Sequence, residues 1–138
     1  MMVLDCSAAV AIVFEAAEGN ALKNLLLAGE EIISSELLRV ELASALRKYV
    51  KAGTISQKLV AAHYEKATAL VDRFISLEQN CTEAFSESLR LEHSPYDMLY
   101  FTLARRNGAT LFTLDKKLIA LCERERIDCV HNVDLLAV

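Results

Sequence analysis

Structure breakers are scarce in this sequence, with one proline and four glycines in 138 residues. With 54% apolar and 25% charged residues beside them, a disordered chain or a string of linkers is excluded, because that much apolar surface demands a core. Long apolar runs are missing as well: the longest near the start, residues 8–14, falls far short of the ~20 residues that span a bilayer. No basic residue precedes Lys23, so the charged leader of a secretory signal is lacking and a cytoplasmic location is expected. Nor is there an excess of positive charge. Fifteen Lys and Arg against nineteen Asp and Glu leave a formal charge of -4, which excludes holding nucleic acid by bulk charge and makes any such contact local. Cys6, Cys81, Cys122 and Cys129 form no C-x-x-C pair, and His63, His93 and His131 have no metal-site spacing. The cysteines read as reduced, buried thiols and the histidines as ordinary residues, which disfavours zinc.

What is present is an alternation of short aliphatic runs with longer helical patterns, on a length that suits a single domain over 1–138. MVLD (2–5) reads as a buried strand, and Ser7 stands as the N-cap of AAVAIVFEA; a further helical stretch, 20–28, stops at Gly29. Residues 31–35 form the next expected strand, 36–52 a helix closed by Gly53, and a third helical run follows Ser56 to about residue 72. RFISLE is the next candidate strand, and Asn80 with Glu83 predicts a capping box opening a helix to about Glu92. Ser94-Pro95-Tyr96-Asp97 opens another helix that ends at Asn107-Gly108. ATLFTL is strand-like, Asp115 can cap a helix to about Arg126, and 128–131 form a last short strand. Strands spaced by helices predict an α/β protein with a covered parallel sheet, whose ligands sit beyond the carboxyl ends of the strands where strand order reverses.

Asp5 and Asp115 both fall at strand carboxyl ends, and adjacent strands would set them ~4.8 Å apart, within reach of one cation. Asp97, at the third position of its helix, and Glu41 in SSELLRVELASALRKYV are two further candidates. Each acid also has a plainer explanation. Asp5 and Asp115 suit N-caps, and Asp97 suits a capping box favoured by the helix dipole. Glu41 lies at the margin of the arc shared by Leu38, Leu42, Ala45, Leu46 and Tyr49, where a solvated residue is equally at home. Position alone leaves both readings open.

Taken in order, the fragments resemble a known family. VLDCSAAVAIVFE is similar to the opening motif of PIN domains and VELASALRK to the second, with its helical glutamate. YDMLYFTLARRNGATLFTLDKKL resembles the third and fourth, an acid opening a helix and then T-x-D after a strand. The likeness runs over nearly the whole chain, and at this length it most resembles the VapC-type toxins of bacterial and archaeal toxin-antitoxin pairs. The resemblance implies a three-layer α/β sandwich with a five-stranded parallel sheet in the order 3-2-1-4-5. It implies an acidic pocket of Asp5, Glu41, Asp97 and Asp115, with Ser7 and Thr113 orienting carboxylates or water. Asp5, Asp97 and Asp115 would then hold Mg²⁺ or Mn²⁺, the ions that hard oxygen ligands favour. The activity implied is hydrolysis of RNA phosphodiester bonds leaving a 5′-phosphate, in a protein with a small antitoxin partner. A homodimer is also implied, through apolar helix faces such as 38–49 or 59–70.

Lys116 and Lys117 stand where some PIN domains carry a further acid, which counts against a second full metal site. The local cations available to RNA phosphates are Arg39, Arg47, Lys48 and Lys51 on the Glu41 helix, with Arg105, Arg106, Lys116 and Lys117 near the other acids. Competing readings are weaker. A haloacid-dehalogenase-like phosphatase needs a second aspartate where Ser7 stands, and a response-regulator receiver needs an acidic pair where Asp5 stands alone. A non-catalytic PIN-fold module that binds RNA or protein is the alternative to the nuclease.

Overall fold

The computed structural model describes residues 1–14 and 29–130. The strands are β1 (Met2–Leu4), β2 (Ile32–Ser35), β3 (Arg73–Ile75), β4 (Thr110–Phe112) and β5 (Cys129–Val130). Between them run helices α1 (Cys6–Val13), α2 (Leu37–Lys51), α3 (Gln57–Ala69), α4 (Leu77–Leu91), α5 (Pro95–Asn107) and α6 (Lys116–Arg124). All strand pairs are parallel and the sheet order is β3-β2-β1-β4-β5, the order expected. β1 is central, with Met2 beside Ile32 on one flank and Leu4 beside Phe112 on the other. Strand order reverses there, so the crevice beyond Leu4 and Phe112 lies where an open α/β sheet binds its ligand.

Short strands suffice because they are buried on both faces: Val3, Leu4, Ile33 and Leu111 are wholly inaccessible. α5 lies across β1, β2 and β4 and carries α4 on its outer side, while α1, α2 and α3 pack on one another. That double cover explains why seven consecutive residues of α5, Met98 to Ala104, are all buried. Gly108 ends α5 at φ 58, ψ 32, a left-handed conformation that glycine adopts without a Cβ clash. Among the described residues no helix is long and apolar enough to cross a membrane.

Several local expectations shift. Ser7 does not cap α1; Asp5, extended at the strand end, accepts the Ala8 N–H at 2.9 Å, and Ser7 falls within the first turn. The strand expected over RFISLE shortens to Arg73–Ile75, and α4 starts at Leu77 after the extended Ser76. Asn80 is therefore inside α4 and buried, donating to the Leu99 carbonyl and to Thr102 Oγ1, both at 2.9 Å. Its partner in the expected capping box, Glu83, pairs with Arg105 and Arg106 instead. Both polar groups clamp α4 to α5, a tertiary use that local spacing mimics. α3 stops at Ala69 and α6 at Arg124, short of the boundaries expected. The thiols are free, but Cys81 is exposed because it lies on the outer face of α4. Outside the described residues fall the helical stretch 20–28, the end of the first helix beyond residue 14, and His131 of the last strand.

Candidate active site

Four elements bring the four acids to one cleft of about 380 Å³. Asp5 comes from the end of β1, Asp115 from just beyond β4, Glu41 from the second turn of α2 and Asp97 from the first turn of α5. Cys6, Ser7, Tyr49 and Tyr100 complete much of its wall. Asp5, Glu41, Asp97 and Asp115 thus all line this one cleft. Both explanations of the caps hold together: Asp5 and Asp115 each cap the helix that follows them and still line the cleft.

A chain of hydroxyls ties the ends of β1 and β4 together. Ser7 Oγ donates to Asp5 Oδ1 at 2.7 Å and lies 3.3 Å from Thr113 Oγ1. The Leu114 N–H donates back to Ser7 Oγ at 2.9 Å, and the Asp115 N–H to Thr113 Oγ1 at 3.0 Å. Ser7 and Thr113 thus do hold the strand ends that carry the two aspartates.

Two neighbours of the acids escape the sequence. His93 Nε2 lies 2.8 Å from Asp97 Oδ2, and the Tyr100 hydroxyl donates to Glu41 Oε1 at 2.5 Å. One oxygen of every acid is thereby engaged: Asp5 and Asp115 through Oδ1, Asp97 through Oδ2, Glu41 through Oε1. A carboxylate has two oxygens with room for several hydrogen bonds or an ion, so these contacts do not exhaust any of the four acids.

The cleft resists negative charge. Burial pushes the Asp5 carboxyl up to about 7, partly opposed by the Thr113 hydroxyl, the Ala8 N–H and the Ser7 hydroxyl, with the Asp97 charge adding to the rise. Glu41 is raised by burial, held back by the Tyr100 hydrogen bond and raised again by Asp97. Asp97 is raised by burial, against the His93 bond, and by the charge of Asp115. Asp97 is the common neighbour in this set. Tyr100→Phe tests the Glu41 contact: the buried ring keeps its packing and cleft water can replace the lost donor. A cost of about 1 kcal/mol in urea unfolding is expected, with the Glu41 carboxyl moving further up.

These oxygens suit a hard dication. Burial, and then Glu41 and Asp5, push the Cys6 thiol up to about 12. Among the described residues no three acidic, imidazole or thiol groups are clustered tightly enough to ligate one ion together. The trio Asp5, Asp97 and Asp115 expected to hold the ion is thus not gathered into one ready ligand set, and a cation here would have to keep several waters, as Mg²⁺ does.

The cations divide. Lys48 lines a hollow of about 540 Å³ that adjoins the cleft through Cys6, Glu41, Ala45 and Tyr49. Lys116 and Lys117 are exposed at the start of α6, directly after Asp115. Arg39 is drawn aside, paired with Glu36 at 2.8 Å and stacked 3.9 Å over the Phe74 ring. Arg47 and Lys51 line an apolar groove of about 500 Å³ between α2 and α3. Arg105 and Arg106 pair with Glu83 on α4, and Arg105 also with Glu87. Arg105 lies eight residues beyond Asp97, roughly 12 Å along the helix, so neither arginine is brought to the acids.

The molecule is an α/β protein whose parallel sheet reverses its order under a cleft lined by four carboxylates. The family model for the PIN domain matches residues 2–124, and the chain belongs to the PIN domain family. Solved structures share its fold. PAE2754 from Pyrobaculum aerophilum is 20% identical, covering 86% of this chain and 82% of that one with a TM-score of 0.71. VapBC2 from Rickettsia felis, bound to a DNA fragment from its promoter, is 19% identical over 94% of this chain and 97% of that one, TM-score 0.67. VapC20 from Mycobacterium tuberculosis, a toxin that cleaves the sarcin-ricin loop, is 16% identical over 88% and 95%, TM-score 0.63. No curated protein matches the sequence.

Proposed function

We propose that this protein is a metal-dependent endoribonuclease and the toxin of a type II toxin-antitoxin pair. One observation carries the reading: four carboxylates from four separate elements line a single cleft at the reversal point of the sheet. Membership of the PIN family and the shared fold of VapC20 and VapBC2 support it. Asp5 and Asp97 would hold Mg²⁺ or Mn²⁺, with Asp115 supporting it directly or through water. Such an ion supplies charge neutralisation at the phosphoryl oxygens and a water of lowered pKa. Glu41 orients the attacking water and takes its proton, while Tyr100 fixes the carboxylate that does so. Ser7 and Thr113 keep Asp5 and the backbone at Asp115 in place. Water as nucleophile leaves the ribose 2′-hydroxyl untouched, so the products carry a 5′-phosphate. Lys48, in the hollow beside the cleft, and Lys116, exposed next to Asp115, would meet RNA phosphates.

RNA cleavage by purified protein in Mg²⁺, Mn²⁺ or chelator, with end-sequencing of the products, tests this. Cleavage that survives chelator, or ends in a 2′,3′-cyclic phosphate, would overturn it. RNA binding without cleavage in either ion would favour the non-catalytic module.

The partners proposed are a small antitoxin and a second copy of this chain. Leu38, Leu42 and Leu46 are buried in this protein's own core, so the 38–49 face is not available to a second copy. The outer face of α4 is better suited, with Leu77, Cys81, Phe85 and Leu89 at every fourth residue and all exposed. Phe85 projects beside a hollow of about 280 Å³ lined by Leu77, Ala84 and Leu99. One surface thus offers both projection and socket, as a twofold contact requires. Phe85→Glu is expected to convert a dimer to monomer in light scattering; an unchanged mass would remove α4 from the interface.

A further inference from the structure

We infer that His93 is a positioning residue that presents Asp97 to the cation, an inference that rests on the metal-dependent reading above. The imidazole Nε2 lies 2.8 Å from Asp97 Oδ2, and the side chain is only 13% exposed. Its backbone is fixed at both ends: the His93 N–H donates to the Ser88 carbonyl at 3.2 Å, and the His93 carbonyl accepts the Ser88 hydroxyl at 2.6 Å. Glu92, left-handed at φ 52, ψ 47, ends α4, and Ser94 caps α5, so the ring is directed from a short, fully determined link. It reaches across the first turn of α5 and takes Oδ2 of Asp97, a residue that lines the cleft, so Oδ1 is not engaged by the ring.

A carboxylate holding a cation is ionised and can only accept hydrogen bonds, so the ring donates to it through Nε2–H. A donor fixed on one oxygen stops the carboxylate from rotating and makes it offer the ion a single oxygen. Hydrogen-bond partners of ligating carboxylates set metal affinity in this way, and losing one typically costs about 10- to 100-fold.

The test is Mn²⁺ affinity of the whole chain by titration calorimetry, with melting in chelator measured alongside. His93→Ala is expected to weaken Mn²⁺ binding by about 10- to 100-fold. His93→Gln, whose amide N–H replaces the ring donor, is expected to restore most of it. A purely structural role would lower the melting temperature in chelator and leave the Mn²⁺ affinity of the folded protein unchanged. The inference is overturned if His93→Ala binds Mn²⁺ as tightly as wild type, or if His93→Gln is as weak as His93→Ala. Wild type that binds no Mn²⁺ would bring down the metal-dependent reading itself, and this inference with it.

Discussion

Asp97→Asn is expected to reduce metal-dependent RNA cleavage by about a thousandfold, the equivalent of roughly 4 kcal/mol of transition-state stabilisation from a well-placed ion. The same substitution is expected to raise the melting temperature in chelator. Two carboxylates ~5 Å apart repel by about 3 kcal/mol at an effective dielectric near 20, and Asp97 is the acid whose charge reaches the others. Asparagine keeps the shape and removes the charge, so the empty cleft relaxes while its capacity for a cation falls. The stabilisation that saturating Mn²⁺ gives to wild type should shrink accordingly. The two readouts move in opposite directions, which separates a functional acid from a structural one. A variant that loses both activity and stability in chelator would mean that Asp97 serves the helix start and not an ion.

The opposition between charge and stability also explains what was legible in the sequence. Asp5 and Asp115 could be placed at strand ends because short aliphatic runs precede them, and the caps they make are local. Their convergence with Glu41 and Asp97 was legible only through the order of the PIN-like motifs, since β3 and β5 are too short to show any period. Contacts made across the fold stayed hidden. Tyr100 and Glu41 are 59 residues apart, and nothing in SPYDMLY announces that the tyrosine turns its hydroxyl to α2. His93 sits between two helices and outside every motif, so its reach to Asp97 depends on the left-handed Glu92. In sequence Arg105 and Arg106 stand as cations near the acids, because sequence shows a charge but not its partner; Glu83, 22 residues before Arg105, claims it. Asn80 was misplaced for the same reason, as its amide serves Leu99 and Thr102.

In the absence of metal, the protein is expected to lose stability as pH rises from about 4 to about 7, and Asp5 is the largest identifiable source. Its carboxyl is pushed up from 3.8 to about 7 in the folded state. A raised carboxyl binds more protons folded than unfolded, so its contribution is fully present below about 3.8 and is lost as pH climbs through about 7. Asp5 is only 4% exposed, so solvent screening does little to reduce the effect. About three pKa units correspond to roughly 4 kcal/mol. Glu41 and Asp97 are shifted in the same direction and add to the slope. Urea unfolding in chelator at several pH values, with Asp5→Asn beside wild type, reads this directly. The variant should be the more stable protein near neutral pH and should lose that advantage towards pH 4, because asparagine carries no proton to lose. Saturating Mn²⁺ should flatten the wild-type slope by favouring the ionised carboxylates, and cleavage should rise over the same pH range. A stability difference between the two proteins that does not change with pH would mean that Asp5 is ionised without cost in the empty cleft, and that no cation is needed to balance it.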